Sequence, residues 1–362
     1  MEKNLKEFQS VLEKEIKKAA NVFIIGHMGP DLDSIGSAVG LYTFVNFLGK
    51  KVSIIIDEDV TMLEPGVKKI LDDNEGKFRI IKKGDYLNKA TKKDLLILTD
   101  VNKDNMISVG DSIDKVGSIA IIDHHNLNDH TIKTSKSYID SEMSSASEIV
   151  AKILFQAKVK FSSDIANFLL AGIRLDTDKF RKTGDRTYGV AQRLKEKGAN
   201  NDYVSNLLLE DLESYISISA LISNGTVIKR YSEELSPVQV SFTLNRNSPA
   251  EKYQKEILAK AADTLSGFVG IDAAFTLGYI DDNIVHISAR GGPRVNVGNI
   301  MNQIGGGGSP KSAGGRFETE NILGLEEKLL DTVFDVLQNA EEVEEVVEKP
   351  KVVKVKQIKR KY

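Results

Sequence analysis

Three short apolar runs of this chain end in residues that bind cations. Val22-Phe-Ile-Ile25 leads into Gly26-His27-Met-Gly-Pro-Asp31-Leu-Asp33, Leu95-Leu-Ile-Leu-Thr99 leads into Asp100, and Ile119-Ala-Ile-Ile122 leads into Asp123-His124-His125. If the runs are strands of a parallel sheet, these side chains meet at its carboxyl edge, where open α/β sheets build their sites. The set gathers four carboxylates and three of the five histidines, and so many acids in one place repel unless cations neutralise them. Oxygen and nitrogen donors without thiolate suit Mn²⁺ or Mg²⁺, and on ligand type alone Co²⁺, Zn²⁺ or Fe²⁺. There are too many donors for one ion. Two ions sharing a carboxylate and a water would account for the number and supply a hydroxide nucleophile near neutral pH. The plainer alternative is that Asp33 or Ser34 caps the helix that follows. His130 and His286 lie apart from the set and read as surface or structural residues.

The elements that must hold these residues follow from periodicity. Leu5, Phe8, Val11, Leu12 and Ile16 recur at helical spacing and predict an opening amphipathic helix. Strand-sized runs at 22–25, 52–56, 78–81, 95–98 and 119–122 then alternate with helical stretches near 34–48 and 61–71, and the segment 144–222 is mainly helical. Apolar strands separated by helices predict an α/β fold, a parallel sheet covered on both faces. A smaller α/β domain is expected beyond it, with strands at 238–244, 273–279 and 284–289 and helices over 250–268 and 326–338. The expected organisation is therefore a catalytic domain over 1–225, a linker over 226–237, a second domain over 238–340 and a charged, mobile tail over 341–362.

Composition excludes several classes of function. The chain has 362 residues, 41% hydrophobic, and no cysteine, so disulfides, thiolate metal sites and a cysteine nucleophile are ruled out. No apolar run approaches the roughly 18 residues needed to cross a bilayer, so stable membrane insertion is not expected. The charged start, Met-Glu-Lys-Asn-Leu-Lys-Glu, carries no signal-peptide core, which points to the cytoplasm. A net charge of -3 disfavours a protein that coats long nucleic acid but allows a basic pocket for a short anion. The acidic run 341–348 followed by the basic run 349–361 is either a solvated end or a contact for RNA or an acidic membrane surface. A homodimer is the default expectation for a soluble enzyme.

In the second domain, Ile304-Gly-Gly-Gly-Gly-Ser-Pro-Lys-Ser-Ala-Gly-Gly315 follows Ile287-Ser-Ala-Arg290. Amides of Gly306, Gly307 and Gly308 could approach an anion closely, with Arg290, Arg294, Lys311 and Arg316 adding charge-assisted contacts. A glycine run is as readily a turn, and a strand arginine is commonly solvated.

The order and spacing of His27-Met-Gly-Pro-Asp31-Leu-Asp33, Asp100 and Asp123-His124-His125 resemble the successive motifs of the DHH phosphoesterase superfamily. Ala171-Gly-Ile-Arg-Leu-Asp176-Thr-Asp-Lys-Phe180 is similar to its fourth motif. The resemblance extends over about residues 20 to 320 and implies Asp176 as a further ligand, which the pattern of residues alone does not reveal. It implies one ion, most simply Mn²⁺, on His27, Asp31 and Asp100 and a second on Asp33, Asp100, His124 and Asp176, with Asp100 bridging. It also implies that His125 faces the substrate phosphate while Asp123 orients the neighbouring imidazole. Asp178 is read as a solvated turn residue or one more supporting carboxylate. The Ser-Ala-Arg290 strand and the glycine loop are similar to a DHH-associated domain whose Gly-Gly-Gly-His loop grips nucleotide, with Ser309 standing where that histidine would be. Among the superfamily the chain looks most like bacterial cyclic-di-AMP phosphodiesterases. The implied substrates are cyclic-di-AMP or its linear dinucleotide, with very short RNA (a nano-RNase activity) or 3′-phosphoadenosine 5′-phosphate as alternatives. The alternative from another class is a nucleotide-binding sensor without turnover, suggested by Ser309.

Overall fold

The computed structural model describes residues 2–59, 63–127, 130–181, 183–209, 211–223, 225–230, 238–244, 252–337 and 346–348. Two compact units divide the chain, Met1–Leu209 and Glu210–Tyr362.

In the first unit the strands β1 (Val22–Ile25), β2 (Val52–Ile55), β3 (Ile80–Ile81), β4 (Leu95–Thr99), β5 (Ser118–Asp123) and β6 (Ser137–Ile139) form a six-stranded sheet in the order β3-β2-β1-β4-β5-β6. Every pairing in it is parallel. β1, β2 and β4 are buried along their whole length, which is why they read as unbroken apolar runs rather than alternating ones. Side chains nevertheless alternate between two cores: Val22 and Ile24 join one cluster, Phe23 and Ile25 the other. β1 lies between β2 and β4, so the direction of winding reverses there and leaves a crevice at the carboxyl ends of β1 and β4.

Helices α1 (Glu2–Lys18), α2 (Leu32–Phe47), α3 (Pro65–Asp73), α4 (Lys83–Lys89), α5 (Ala146–Gln156), α6 (Ser163–Asp176), α7 (Asp185–Glu196) and α8 (Asn201–Leu207) complete this unit. α2 is apolar or small on nearly every side because it is enclosed, with buried residues from Leu32 through Val45. Glycine sets how closely its neighbours approach. A Cβ at Gly36 would lie 2.5 Å from the Phe168 carbonyl oxygen of α6, and one at Gly40 would lie 2.6 Å from Val150 Cγ1 of α5.

The second unit contains α9 (Leu212–Ser223), α10 (Lys255–Ser266), α11 (Val297–Ile304) and α12 (Ile322–Leu337). Its strands are β7 (Thr226–Arg230), β8 (Val238–Leu244), β9 (Ala273–Asp281), β10 (Ile284–Gly291), β11 (Gly307–Gly308), β12 (Ser312–Glu318) and β13 (Val346–Glu348). They form a seven-stranded sheet in the order β11-β12-β10-β9-β8-β7-β13, in which β8 and β9 run parallel. The expected α/β class holds for both units.

Several elements depart from the sequence reading. Residues 226–230, assigned to the linker, are the strand β7, and residues 231–237 lie outside the described residues. β12 escaped notice because Ser-Ala-Gly-Gly-Arg-Phe-Glu buries only Ala313 and has no apolar alternation. Within the expected mobile tail, Val346–Glu348 pairs with β7, while 341–345 and 349–362, including the basic run, lie outside the described residues. Among the described residues no helix is long and apolar enough to cross a membrane.

Candidate metal centre

Strand ends and one helix end converge in the first unit. His27 and Asp31 follow β1, Asp33 sits in the first turn of α2, Asp100 follows β4, Asp123 ends β5 with His124 and His125 just beyond it, and Asp176 is the last residue of α6. Donor atoms of His27, Asp31 and Asp100 lie within 4.8 Å of one another, and so do those of Asp33, Asp100, His124 and Asp176. Asp100, Asp123, His124 and His125 form a third such group. Each group could hold a divalent ion, and Asp100 belongs to all three.

The geometry at Asp100 explains this. Its backbone adopts φ 59°, a left-handed conformation that aspartate tolerates better than most side chains, and its amide donates to the Ile122 carbonyl at 3.0 Å. The turned carboxylate places Oδ2 3.4 Å from His27 Nε2 and Oδ1 3.4 Å from His124 Nε2. One oxygen therefore faces each imidazole. His124 Nε2 is also 3.0 Å from Asp176 Oδ2 and 3.9 Å from Asp33 Oδ2. Neither it nor Asp100 Oδ1 makes a hydrogen bond of acceptable geometry, although both atoms are buried. Buried donors and acceptors without partners carry a cost of about 1–3 kcal/mol each. Donor atoms that crowd a common point without bonding one another fit a cation at that point, so the residues present suit the divalent ions their types imply.

Each donor is fixed by its own support. Asp31, not Asp33 or Ser34, caps α2: its Oδ1 accepts from the amides of Asp33 and Ser34, both at 2.9 Å. Asp33 caps a different helix, accepting from the first amides of α5, Ala146 N at 2.7 Å and Ser147 N at 2.8 Å. Held by two amides on a fully buried carboxylate, it cannot swing away. α5 is itself fixed at its start, with the N-cap Ser145 Oγ accepting from Glu148 N at 3.0 Å and Glu148 Oε2 reaching back to accept from Ser144 N at 3.3 Å and Ser144 Oγ at 2.6 Å. Thr187 of α7 donates to the same Glu148 oxygen at 2.9 Å. Asp123 Oδ1 accepts from the amides of His124 and His125 and lies 2.8 Å from His125 Nδ1. The imidazole that Asp123 orients is thus that of His125, whose side chain is 54% exposed.

Charge states follow from this crowding. Burial alone would lower the pKa of His27, but Asp100 and Asp31 outweigh it and carry it to about 12. His124 is likewise carried to about 11 by Asp100 and Asp176 against the effect of burial. Burial and the charges of Asp100 and Asp176 push Asp33 well above the usual carboxylate range, and burial chiefly raises Asp176 to about 6. Despite its burial, Asp100 is held far below that range by His124 and His27. Protonated imidazoles act as the internal counter-ions of a set that carries more acid than it can otherwise neutralise. A divalent cation held by these residues would take over that role by displacing their protons.

The supports on α5 were not identified from sequence, although Ser145-Ala-Ser-Glu148 carries the spacing of a capping box. Gly172 was likewise missed: a Cβ there would lie 2.7 Å from Asp33 Oδ1 and 2.8 Å from Asp33 Cα. Nothing in one sequence marks such a contact.

The second-domain candidates share one neighbourhood of the second unit. Arg290 stands opposite Ser312 in the ladder of β10 and β12, and Ser309 Oγ accepts from Ser312 N at 3.1 Å. Arg290 is already engaged, Nε and Nη2 donating to the two oxygens of Asp263 at 2.9 and 3.0 Å. Gly305 ends α11 with φ 100°, and Gly307 and Gly308 pair with Gly314 and Ala313. The glycine run is thus a tightly packed turn and strand, in which a Cβ at Gly308 would fall 2.4 Å from Ala313 Cα. His130 is exposed, and His286 lies half-buried on β10, pushed down to about 4 by burial and by Lys255.

Comparison with known proteins accords with this architecture. Residues 21–173 match the DHH family, N-terminal domain, and residues 237–339 match the DHHA1 domain. The chain carries a DHH N-terminal domain followed by a DHHA1 domain. It is 29% identical over 340 residues to the cyclic-di-AMP phosphodiesterase GdpP of Geobacillus thermodenitrificans, covering 92% of this chain and 50% of that protein. It is 31% identical over 192 residues to the "Probable bifunctional oligoribonuclease and PAP phosphatase NrnA" of Streptococcus mutans, covering 52% of this chain and 56% of that protein. The chain spans about half the length of the curated relatives it matches. A crystal structure of an exopolyphosphatase-related protein from Bacteroides fragilis shares the fold, with a TM-score of 0.70 at 20% identity over 92% of this chain and 97% of that one.

Proposed function

We propose that this chain hydrolyses a phosphodiester bond in a small nucleotide, with cyclic-di-AMP or the linear dinucleotide made by opening it as substrate. The observation that carries the reading is the division of Asp100, one carboxylate oxygen 3.4 Å from His27 and the other 3.4 Å from His124. His27, Asp31 and Asp100 would hold one divalent ion and Asp33, Asp100, His124 and Asp176 the other, with Mn²⁺ suited to these donors. When bound, such ions supply Lewis acidity toward a phosphoryl oxygen and acidify a water. The protein's own contribution is positional. Asp123 holds His125 by Nδ1 and leaves Nε2 to face a phosphoryl oxygen, and the proximity of Asp123 raises the pKa of His125 against its burial. Carrying a proton there, Nε2 donates to the oxygen on which charge develops. Arg290 and the turn Gly306-Gly307-Gly308-Ser309 are the proposed nucleotide contacts of the DHHA1 domain.

Similarity to the GdpP relative supports the cyclic-di-AMP assignment. A second reading, cleavage of very short RNA or dephosphorylation of 3′-phosphoadenosine 5′-phosphate, draws on the NrnA relative. The test is turnover by purified protein with Mn²⁺ on cyclic-di-AMP, the linear dinucleotide, a short RNA and 3′-phosphoadenosine 5′-phosphate. Hydrolysis of one or more that disappears in Asp100→Asn is the expected result. Inactivity on all four, with nucleotide still bound, would favour the sensor alternative.

A further inference from the structure

α6 does not end in an ordinary turn. Directly after Asp176 and its neighbour Thr177, the residues Asp178, Lys179 and Phe180 adopt φ 49°, 57° and 72°. Three successive side-chain-bearing residues thus occupy the left-handed region that L-residues avoid. Glycine would close such a turn without strain. What this turn gains is the placement of Phe180, whose amide donates to Thr177 Oγ1 at 3.0 Å while that hydroxyl donates to the Ile173 carbonyl at 2.6 Å. The phenylalanine is thereby tied within four residues of the metal-centre carboxylate Asp176.

Phe180 in turn backs a second ring. Tyr188 of α7 stacks on it with centroids 5.5 Å apart and planes 26° from parallel. The Tyr188 hydroxyl donates to the Phe180 carbonyl at 3.2 Å, so the ring is fixed both by its inner face and by its tip. Phe180 is half-buried against the core, whereas Tyr188 is 51% exposed. An aromatic ring so restrained loses little freedom when another flat group settles on it. Lys179 and Arg181 are exposed on the same turn, the latter 3.3 Å from Asp178, a setting of aromatic and cationic groups that suits a nucleotide.

We propose that the outward surface of Tyr188, backed by Phe180, is a stacking platform for a nucleobase of the substrate whose phosphate lies at the neighbouring centre. This rests on the nucleotide reading given above and adds the element that selects bases over other phosphodiesters. Stacking of one base on an aromatic side chain corresponds to about a 5- to 100-fold change in affinity.

The test uses the full chain with Mn²⁺ and a phosphorothioate-linked dinucleotide carrying 2-aminopurine, titrated by fluorescence, together with its abasic counterpart. Wild-type protein should quench the fluorophore on binding. Tyr188→Ala should weaken binding of the base-bearing ligand by about 5- to 100-fold and abolish the quench, with the abasic ligand bound as by wild type. Tyr188→Phe, which keeps the ring and loses the tether, should stay within about twofold of wild type. Unchanged affinity and quench in Tyr188→Ala would overturn the platform alone, as would an equal loss for both ligands, which marks a structural strap. Failure of wild-type protein to bind either dinucleotide would overturn the nucleotide reading itself.

Discussion

Replacing Gly172 by alanine would probe how tightly helix packing sets the metal centre. In most helices this change is favourable, by about 1 kcal/mol in helix propensity. Here the new Cβ would lie 2.4 Å from Ser147 Oγ, 2.7 Å from Asp33 Oδ1 and 2.8 Å from Asp33 Cα. The serine hydroxyl can rotate away. Asp33 has no such freedom, because its carboxylate is clamped by Ala146 N and Ser147 N and its Cα belongs to the buried α2. Relieving contacts under 3 Å requires α6 and α2 to separate by roughly half an ångström or more, at the 1–3 kcal/mol typical of overpacking. Asp176 lies one turn beyond Gly172 on α6, so the same separation parts two donors of one group. Ligand distances tolerate only about 0.2 Å. The expected result is a net loss of stability of up to about 2 kcal/mol after the propensity gain, and about 10- to 100-fold weaker Mn²⁺ binding. Thermal melts of the metal-free protein and Mn²⁺ titration followed by electron paramagnetic resonance give the two quantities. A variant that melts above wild type and binds Mn²⁺ equally well would refute the claimed contact between α6 and Asp33.

Proton release gives a second expectation. His27 and His124, at about 12 and 11, carry protons in the metal-free protein throughout the neutral range, and a cation must displace both. Because both values lie above the unfolded imidazole value, their stabilisation of the metal-free fold is complete below about pH 6.5, declines progressively above it and is gone once pH has risen through 11 to 12. Calorimetry in buffers of different ionisation enthalpy at about pH 8 should show at least two protons released per chain on filling the centre, with any proton held by the raised Asp33 adding to them, where ordinary imidazoles would release almost none. Mn²⁺ at about one hundred times its dissociation constant should stabilise the first unit by about 2.7 kcal/mol per site. That corresponds to a rise of about 5–10 °C in Tm, reversed by chelation, and a Tm indifferent to both would argue against a metal centre. Asp123→Asn keeps an acceptor for the two amides but removes the charge beside His125, so turnover should fall about 10- to 100-fold with Mn²⁺ stoichiometry unchanged; loss of the metal instead would make Asp123 a ligand.

The parallel sheet was legible because its strands are short, enclosed and almost purely apolar, and most of the candidate donors because they stand at the end of such a strand or in the loop and helix start that follow it. Asp176 stood apart from that logic. It ends a helix, where an aspartate has no pattern to betray it, and resemblance to a motif was needed to include it. β7 and β12 were missed because Thr-Val-Ile-Lys-Arg is brief and Ser-Ala-Gly-Gly-Arg-Phe-Glu is held by backbone pairing rather than by buried side chains. The cap of α2 was assigned two or three residues late. Asp31 faces both the helix amides and His27, and Asp33 reaches across to α5, a contact between residues more than a hundred positions apart that local spacing does not encode. Likewise the bidentate pairing of Arg290 with Asp263 depends on α10 lying beside β10, which only the tertiary fold reveals.

The central claim is that Asp100 joins two cation sites. Crystals grown with Mn²⁺ and measured at the manganese absorption edge test it directly. The expected anomalous map shows two peaks per chain, one beside His27 and Asp31 and one beside Asp33, His124 and Asp176, with Asp100 between them. A single peak, or two peaks of which neither contacts Asp100, would contradict it.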